Sequence, residues 1–219
     1  MEQAVKFENV VAGELLQPVS FSIPAGCKAA AITARQEEND LQARLMLALA
    51  KPLSGSVTVL GEPLERASNK ALQALRRQVA VIYPSGGLIS NLKVWENLVL
   101  PLEYFSVCPA GEIEERGMAA LKRVGYEGDL MELPGHLSLY ARRQVGIARA
   151  MLLNPRLVIC NEVLTGLSGG QRSAVLALLE EFHRESPELT SLFLTADEDA
   201  LRELQVDTRI VMKGSSAHG

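Results

Sequence analysis

The sequence predicts an α/β fold built on a parallel sheet, with a mostly helical lobe attached to it. Three observations predict this. Short β-like apolar runs alternate with helical patterns along the chain. Leu157–Cys160 is a continuous apolar run, as expected of a central parallel strand covered on both faces. The stretch from about Gly87 to Arg149 carries mainly helical periodicity.

Two β-like runs, Val5–Val10 and Val19–Ile23, open the chain, and Pro24-Ala25-Gly26 turns it into a buried strand at Lys28–Thr33. Leu41, Leu45, Ala48 and Leu49 recur at helical spacing and predict a helix that stops before Pro52. Ser54-Gly55 turns into a strand at Val57–Leu60. Val79–Tyr83 reads as another strand, ended by Pro84-Ser85-Gly86-Gly87. Helical patterns lie near Glu112–Val124 and Ser138–Leu153. After the central apolar run, Val175, Leu178, Leu179 and Phe182 mark a further helix. Ser191–Leu194 and Arg209–Met212 read as the last strands. This gives a core from 1–86 and 150–214, a helical subdomain from 87–149, and a tail at 215–219.

The 219 residues carry ordinary globular proportions, 47% hydrophobic and 22% charged. A net charge of -4 gives no general attraction to nucleic acid or an anionic membrane. No apolar stretch is long enough to span a bilayer, and the start lacks a signal-peptide pattern. The three cysteines, Cys27, Cys108 and Cys160, are scattered without metal-ligand spacing. They suit a reducing cytosol, with each as a small apolar filler.

The order of elements resembles the ATP-binding cassette (ABC) transporter ATPases across nearly the whole chain. The likeness is carried by VSFSIPAG, KPLSGSVTVLG, VAVIYPSGGLISNLKVWENLVLPL, LPGHLSLYARRQVGIARAMLLNPRLVICNEVLTGL and LFLTADEDAL. It implies a P-loop-NTPase-like core, a small antiparallel β subdomain and a helical signature subdomain. Within the family, SGGLISNLKVWENLVLPL is similar to the subunits that drive MCE-type (Mla-like) phospholipid transport.

Against that family pattern, each nucleotide station is altered. A phosphate loop needs glycines that turn backbone N–H groups around the phosphates, a lysine, and a Ser or Thr for magnesium. Here the strand-to-helix junction reads Thr33-Ala34-Arg35-Gln36-Glu37-Glu38-Asn39-Asp40, with Asn39 in the lysine position and Asp40 in the hydroxyl position. Two unit charges about 4 Å apart at an effective dielectric of about 20 interact by about 4 kcal/mol, so carboxylates here oppose a triphosphate. As plain structure, the acidic residues suit a helix N-terminus, with Asn or Asp as its cap. Pro84 stands for the Q-loop glutamine. The signature segment is Leu137-Ser138-Leu139-Tyr140-Ala141, with Leu139 and Tyr140 in place of paired glycines. The literal LSGGQ at Leu167–Gln171 follows the Walker B strand and reads as a decoy, with Ser168 capping the next helix. Asn161 replaces the Walker B aspartate and Glu162 is retained. Ala196 takes the switch-histidine position. Asp197 follows as a helix cap, and Phe7 is the aromatic nearest the adenine position.

These substitutions lead to the expectation of a degenerate, non-enzymatic subunit. Glu162 would be vestigial, with no intact nucleotide site, no metal site and no cofactor, ATP and magnesium included. Its partners would be a membrane permease and another ABC ATPase subunit, with a homodimer compatible and nucleic acid excluded. Its place would be the cytoplasm, peripheral to the inner membrane. Ser85, Gly86, Leu88, Trp95 and Leu98 are the candidate partner surface, with packing inside the helical lobe as the other reading of Trp95. Two other functions stand beside this one: an ATPase of altered mechanism that uses Glu162, and a free-standing module binding another ligand.

Overall fold

A computed structural model describes residues 2–13, 15–197, 199, 202 and 204–212. The sequence-predicted tail at 215–219 lies outside the described residues. Two compact units emerge, one of residues 1–81, 156–162 and 186–219, the other of 82–155 and 163–185.

The first unit carries both sheets. In the antiparallel one, β1 (Gln3–Ala12) pairs with β2 (Leu15–Pro24) and β4 (Ser54–Val59), and β4 pairs with the two-residue β5 (Glu62–Pro63). The second sheet has the order β6 (Val79–Ile82), β7 (Leu157–Asn161), β8 (Thr190–Thr195), β3 (Lys28–Ile32), β9 (Thr208–Val211). Its β3–β8, β3–β9 and β7–β8 pairs are parallel. The α/β expectation with a parallel sheet and a small antiparallel sheet therefore holds. Every residue of β7 and β8 is buried, which explains the unbroken apolar runs in their sequences.

Helix α1 (Gln36–Met46) packs its Leu41, Ala43, Leu45 and Met46 into a core with Val5, Phe7, Val57, Ile159 and Leu192. It ends earlier than the spacing predicts. Ala48 has φ +51°, and Leu49 is exposed. The stop is closed by the Leu49 N–H donating to the Arg44 carbonyl at 2.8 Å and is secured from outside the helix. The Arg76 guanidinium of α2 (Asn69–Arg76) donates to the carbonyls of Leu47 at 3.0 Å and Ala48 at 3.3 Å.

The second unit contains α3 (Val94–Phe105), α4 (Ile113–Arg123), α5 (Leu139–Leu152) and α6 (Gly169–Glu185). Ser138 caps α5 by accepting from the Ala141 N–H at 3.1 Å. Asn97 of α3 is fully buried and shapes the loop before its own helix. Its Oδ1 accepts from the Ile89 N–H at 2.7 Å, and its Nδ2 faces the carbonyls of Ile89, Leu92 and Lys93 at 2.9–3.1 Å. Among the described residues, no helix is long and apolar enough to cross a membrane.

Candidate functional site: the junction of β3, α1 and β7

Three segments of the first unit converge at one end of the parallel sheet: the β3–α1 junction, the end of β7, and the end of β8. They are tied by two reciprocal pairs, each an asparagine amide against a carboxylate. Asn39 Nδ2 donates to Glu162 Oε1 at 2.8 Å, and Asn161 Nδ2 donates to Asp40 Oδ1 at 2.5 Å. Glu162 accepts two further bonds, from the Ala196 N–H at 2.7 Å and from Thr195 Oγ1 at 3.2 Å. Thr33 Oγ1 lies 2.8 Å from Asn39 Oδ1, so Asn39 is held at both ends. Asn39 and Asn161 are fully buried, and Glu162 is 4% exposed.

Glu162 has φ +46°, an uncommon conformation for a residue with a side chain. Its N–H still donates to the Leu194 carbonyl at 2.9 Å, which continues the sheet ladder past the end of β7. Strained residues of this kind concentrate where the surrounding structure serves a function.

The start of α1 departs from the simple capped helix the sequence suggests. Its N-cap is Arg35, with no side-chain cap bond. Asn39 and Asp40 cap nothing, because their side chains are bound to Glu162 and Asn161. Instead Glu38 turns back. Its Oε2 accepts from the Ala34 N–H at 3.3 Å, while its Oε1 pairs with Arg35 at 3.2 Å. Gln36 and Glu37 are exposed.

The other sequence-predicted residues separate by unit. Ala196 is exposed and lends its backbone N–H to Glu162. Asp197 Oδ1 accepts from the Asp199 N–H at 3.0 Å. Phe7 is buried and stacks on Phe21 with ring centroids 4.6 Å apart. In the second unit, the Pro84 carbonyl accepts from Arg143 Nη2, and Leu139 lies over Gly166. Leu167–Gln171 leads into α6, with Gln171 Oε1 accepting from the Ser168 N–H at 3.1 Å. Ser85 is exposed, Leu88 and Trp95 are half-buried, and Gly86 and Leu98 are buried. Sequence reasoning missed Arg143, a fully buried cation that also donates to the Thr165 carbonyl at 3.2 Å. A double arginine inside an apolar helix face was its only signal.

A model of the family described as ABC transporter matches residues 42–165, more than half of the chain. The chain belongs to the ABC transporter family.

Curated relatives of this ABC transporter chain include "Methionine import ATP-binding protein MetN 2" of Pseudomonas entomophila. It is 31% identical over 189 residues, which cover 86% of this chain and 56% of that protein. The MetN of Haemophilus influenzae is 31% identical over 199 residues, covering 91% of this chain and 57% of that protein. The chain thus spans less than two thirds of the length of these relatives. Among solved structures, cbiO1 from Clostridium perfringens, part of the ABC transporter complex cbiONQ, superposes with a TM-score of 0.78. It is 24% identical and covers 97% of this chain and 86% of that one. That likeness concerns the fold.

These relatives correct three expectations drawn from the motifs: a chain that is no enzyme, that takes no ATP or magnesium, and that acts only as a structural or regulatory partner. The sequence neighbourhood is one of ATP-binding import proteins. The motif reading erred by treating each altered position alone, without the side chain that faces it.

The residues present fit magnesium better than that reading allowed. The carboxylate absent from β7 at Asn161 is supplied across the junction by Asp40 of α1. Asn161 Oδ1 is buried and has no hydrogen-bond partner, which leaves an oxygen donor unused. Among the described residues no group of three or more His, Cys, Asp or Glu gathers as a metal cluster. Magnesium commonly takes only one or two carboxylates and keeps its waters, so a pair suffices. The phosphate cradle is different: the Ala34 N–H is already engaged by Glu38, and the junction contains no glycine.

Proposed function

We propose that this chain is the ATP-binding subunit of an ABC importer, working with an altered phosphate junction. The observation that carries the reading is the carboxylate–asparagine pair of Asp40 and Asn161 beside Glu162, in a chain of this family. The pair keeps one carboxylate beside one neutral side-chain oxygen, with the carboxylate on the helix and the neutral oxygen on the strand.

In this reading Asp40 and Asn161 Oδ1 would hold magnesium, which would neutralise phosphate charge. Glu162 is the carboxylate that would polarise an attacking water. Arg35, at the head of α1 with its side chain 48% exposed, would stand in place of a lysine on leaving its Glu38 partner. Its position at a helix N-terminus adds the favourable end of the helix dipole.

The partner is a membrane permease at the cytoplasmic face, and a second ATP-binding chain completes the assembly. Of the five candidate surface residues, Ser85, Leu88 and Trp95 retain exposure for such contacts, while the buried Gly86 and Leu98 shape the surface from beneath. The relatives' names support import of a small solute such as an amino acid. The likeness of Ser85–Leu102 to MCE-type subunits supports phospholipid as a second cargo reading.

Calorimetric titration with Mg-ATP tests the nucleotide reading. Binding with a dissociation constant below about 1 mM is expected, together with phosphate release that Glu162→Gln abolishes. No heat of binding and no phosphate release would end it. Reconstitution with a membrane permease that co-purifies with the chain, assayed for amino-acid and for phospholipid movement, separates the two cargoes.

A further inference from the structure

Glu162 is unusually occupied for a group whose role is to engage water. A carboxylate offers about four lone-pair positions. Protein donors crowd them: Asn39 Nδ2 and the Ala196 N–H reach Oε1, and Thr195 Oγ1 reaches Oε2. Only 4% of the residue is exposed.

Two of those donors come from the end of β8 and would surround a carboxylate at this place whatever stood at position 39. Asn39 is different. It reaches from α1, and its amide orientation is fixed. Its nitrogen must face Glu162, because a carboxylate accepts and does not donate, and its oxygen meets the Thr33 hydroxyl at 2.8 Å. The amide is fully buried, so no water competes for it.

We propose that Asn39 is an inhibitory latch: its side-chain amide sequesters the Glu162 carboxylate and holds turnover below what the site otherwise supports. The inference rests on the reading of the chain as an ATPase and names a built-in restraint on that same site. Release of the Asn39 bond opens one acceptor position on Oε1, which keeps the Ala196 N–H, and the carboxylate gains a water partner in exchange for the amide. The Asp40–Asn161 pair continues to tie α1 to β7 when Asn39 is removed, so the junction keeps one of its two cross-links.

The test compares ATP binding and steady-state phosphate release for the wild type, Asn39→Ala, Glu162→Gln and the double variant. Asn39→Ala is expected to raise kcat about fivefold, the rate equivalent of one net intramolecular hydrogen bond. ATP affinity should stay within about twofold, since the latch acts on the carboxylate and not on binding. The double variant should lose the gain. Should Asn39→Ala fail to fold, Asn39→Ser, which keeps a small polar group at the site but is too short to hold Glu162, takes its place with the same expected rise. A folded variant that binds ATP with unchanged or lower kcat overturns the latch and leaves Asn39 as a purely structural bond. A gain that persists with Glu162→Gln overturns it as well. Absence of ATP binding by every protein in the set overturns the ATPase reading, and the latch with it.

Discussion

Gly146 of α5 faces Gly86 so closely that a methyl group in place of its hydrogen would lie 2.6 Å from the Gly86 carbonyl oxygen. The contact is reciprocal in kind: a Cβ on Gly86 would lie 2.2 Å from the Arg142 carbonyl oxygen, and Gly86 has φ +79°. The loop after β6 therefore rests backbone to backbone on α5. Arg149 secures it further by donating to the Gly86 and Gly87 carbonyls at 3.1 and 2.8 Å.

Gly146→Ala should destabilise the protein by about 1–3 kcal/mol, the usual range for overpacking a closed contact. Urea unfolding should show a lower midpoint at an unchanged slope. An unaltered midpoint would mean that α5 is free to move away from the loop.

Arg143 carries a charge that its surroundings answer only with carbonyls. It donates to Pro84 and Thr165, and its Nε and Nη1 are buried without partners. Burial lowers its pKa to about 10. The unfolded chain therefore holds this proton more tightly, so between that value and the ordinary arginine range stability rises with pH. The stability difference between the wild type and Arg143→Met should be flat below pH about 10 and shift toward the wild type above it. A difference that stays constant through that window would show that the guanidinium is better solvated than its burial implies.

The cysteines make a chemical prediction. Burial pushes the Cys160 thiol far above the usual thiol range, and it lies within the fully buried β7. Cys27 is half-buried, and its thiol is also raised, first by burial and then by Asp207. A disulfide-exchange reagent at neutral pH should modify Cys160 only after denaturant is added, as followed by mass spectrometry of the labelled peptides. Labelling of Cys160 in the native state would contradict the closed sheet.

Trp95 reports on the helical unit. A Cβ on Gly117 of α4 would lie 2.7 Å from the Trp95 ring, so the indole packs directly on that glycine. Because Trp95 is the single tryptophan, Gly117→Ala should shift the intrinsic emission to longer wavelength as the ring is pushed toward water. No shift would place the ring elsewhere.

Much of the fold is legible in local pattern. The apolar runs around Val5, Ala30, Val57, Val79, Ile159 and Phe193 become strands, and the periodicity around Ile113, Ile147 and Val175 becomes helix. Helix α3 has no clean stripe, since Pro101 interrupts it and the buried Asn97 sits on its inner side. The end of α1 is secured by Arg76, thirty residues beyond Met46, which no local signal connects to it. The site follows the same division. Asn39, Asp40 and Asn161 are each visible as departures from a family pattern, and Glu162 as a retained member of it. That they complement one another in pairs appears only when α1 and β7 are brought side by side. The same holds for Gly86 and Gly146, whose small size has meaning only in contact.

One side chain, Asn97, fixes the course of residues 89–93 by bonding to Ile89, Leu92 and Lys93 beside the loop's own Leu92 N–H to Ile89 carbonyl bond. Ser90 and Asn91 at the crest are exposed and contribute none of those bonds. The crest is therefore a convenient graft point for a fluorophore or short epitope, because its geometry is written into the helix below and survives a change of lettering above.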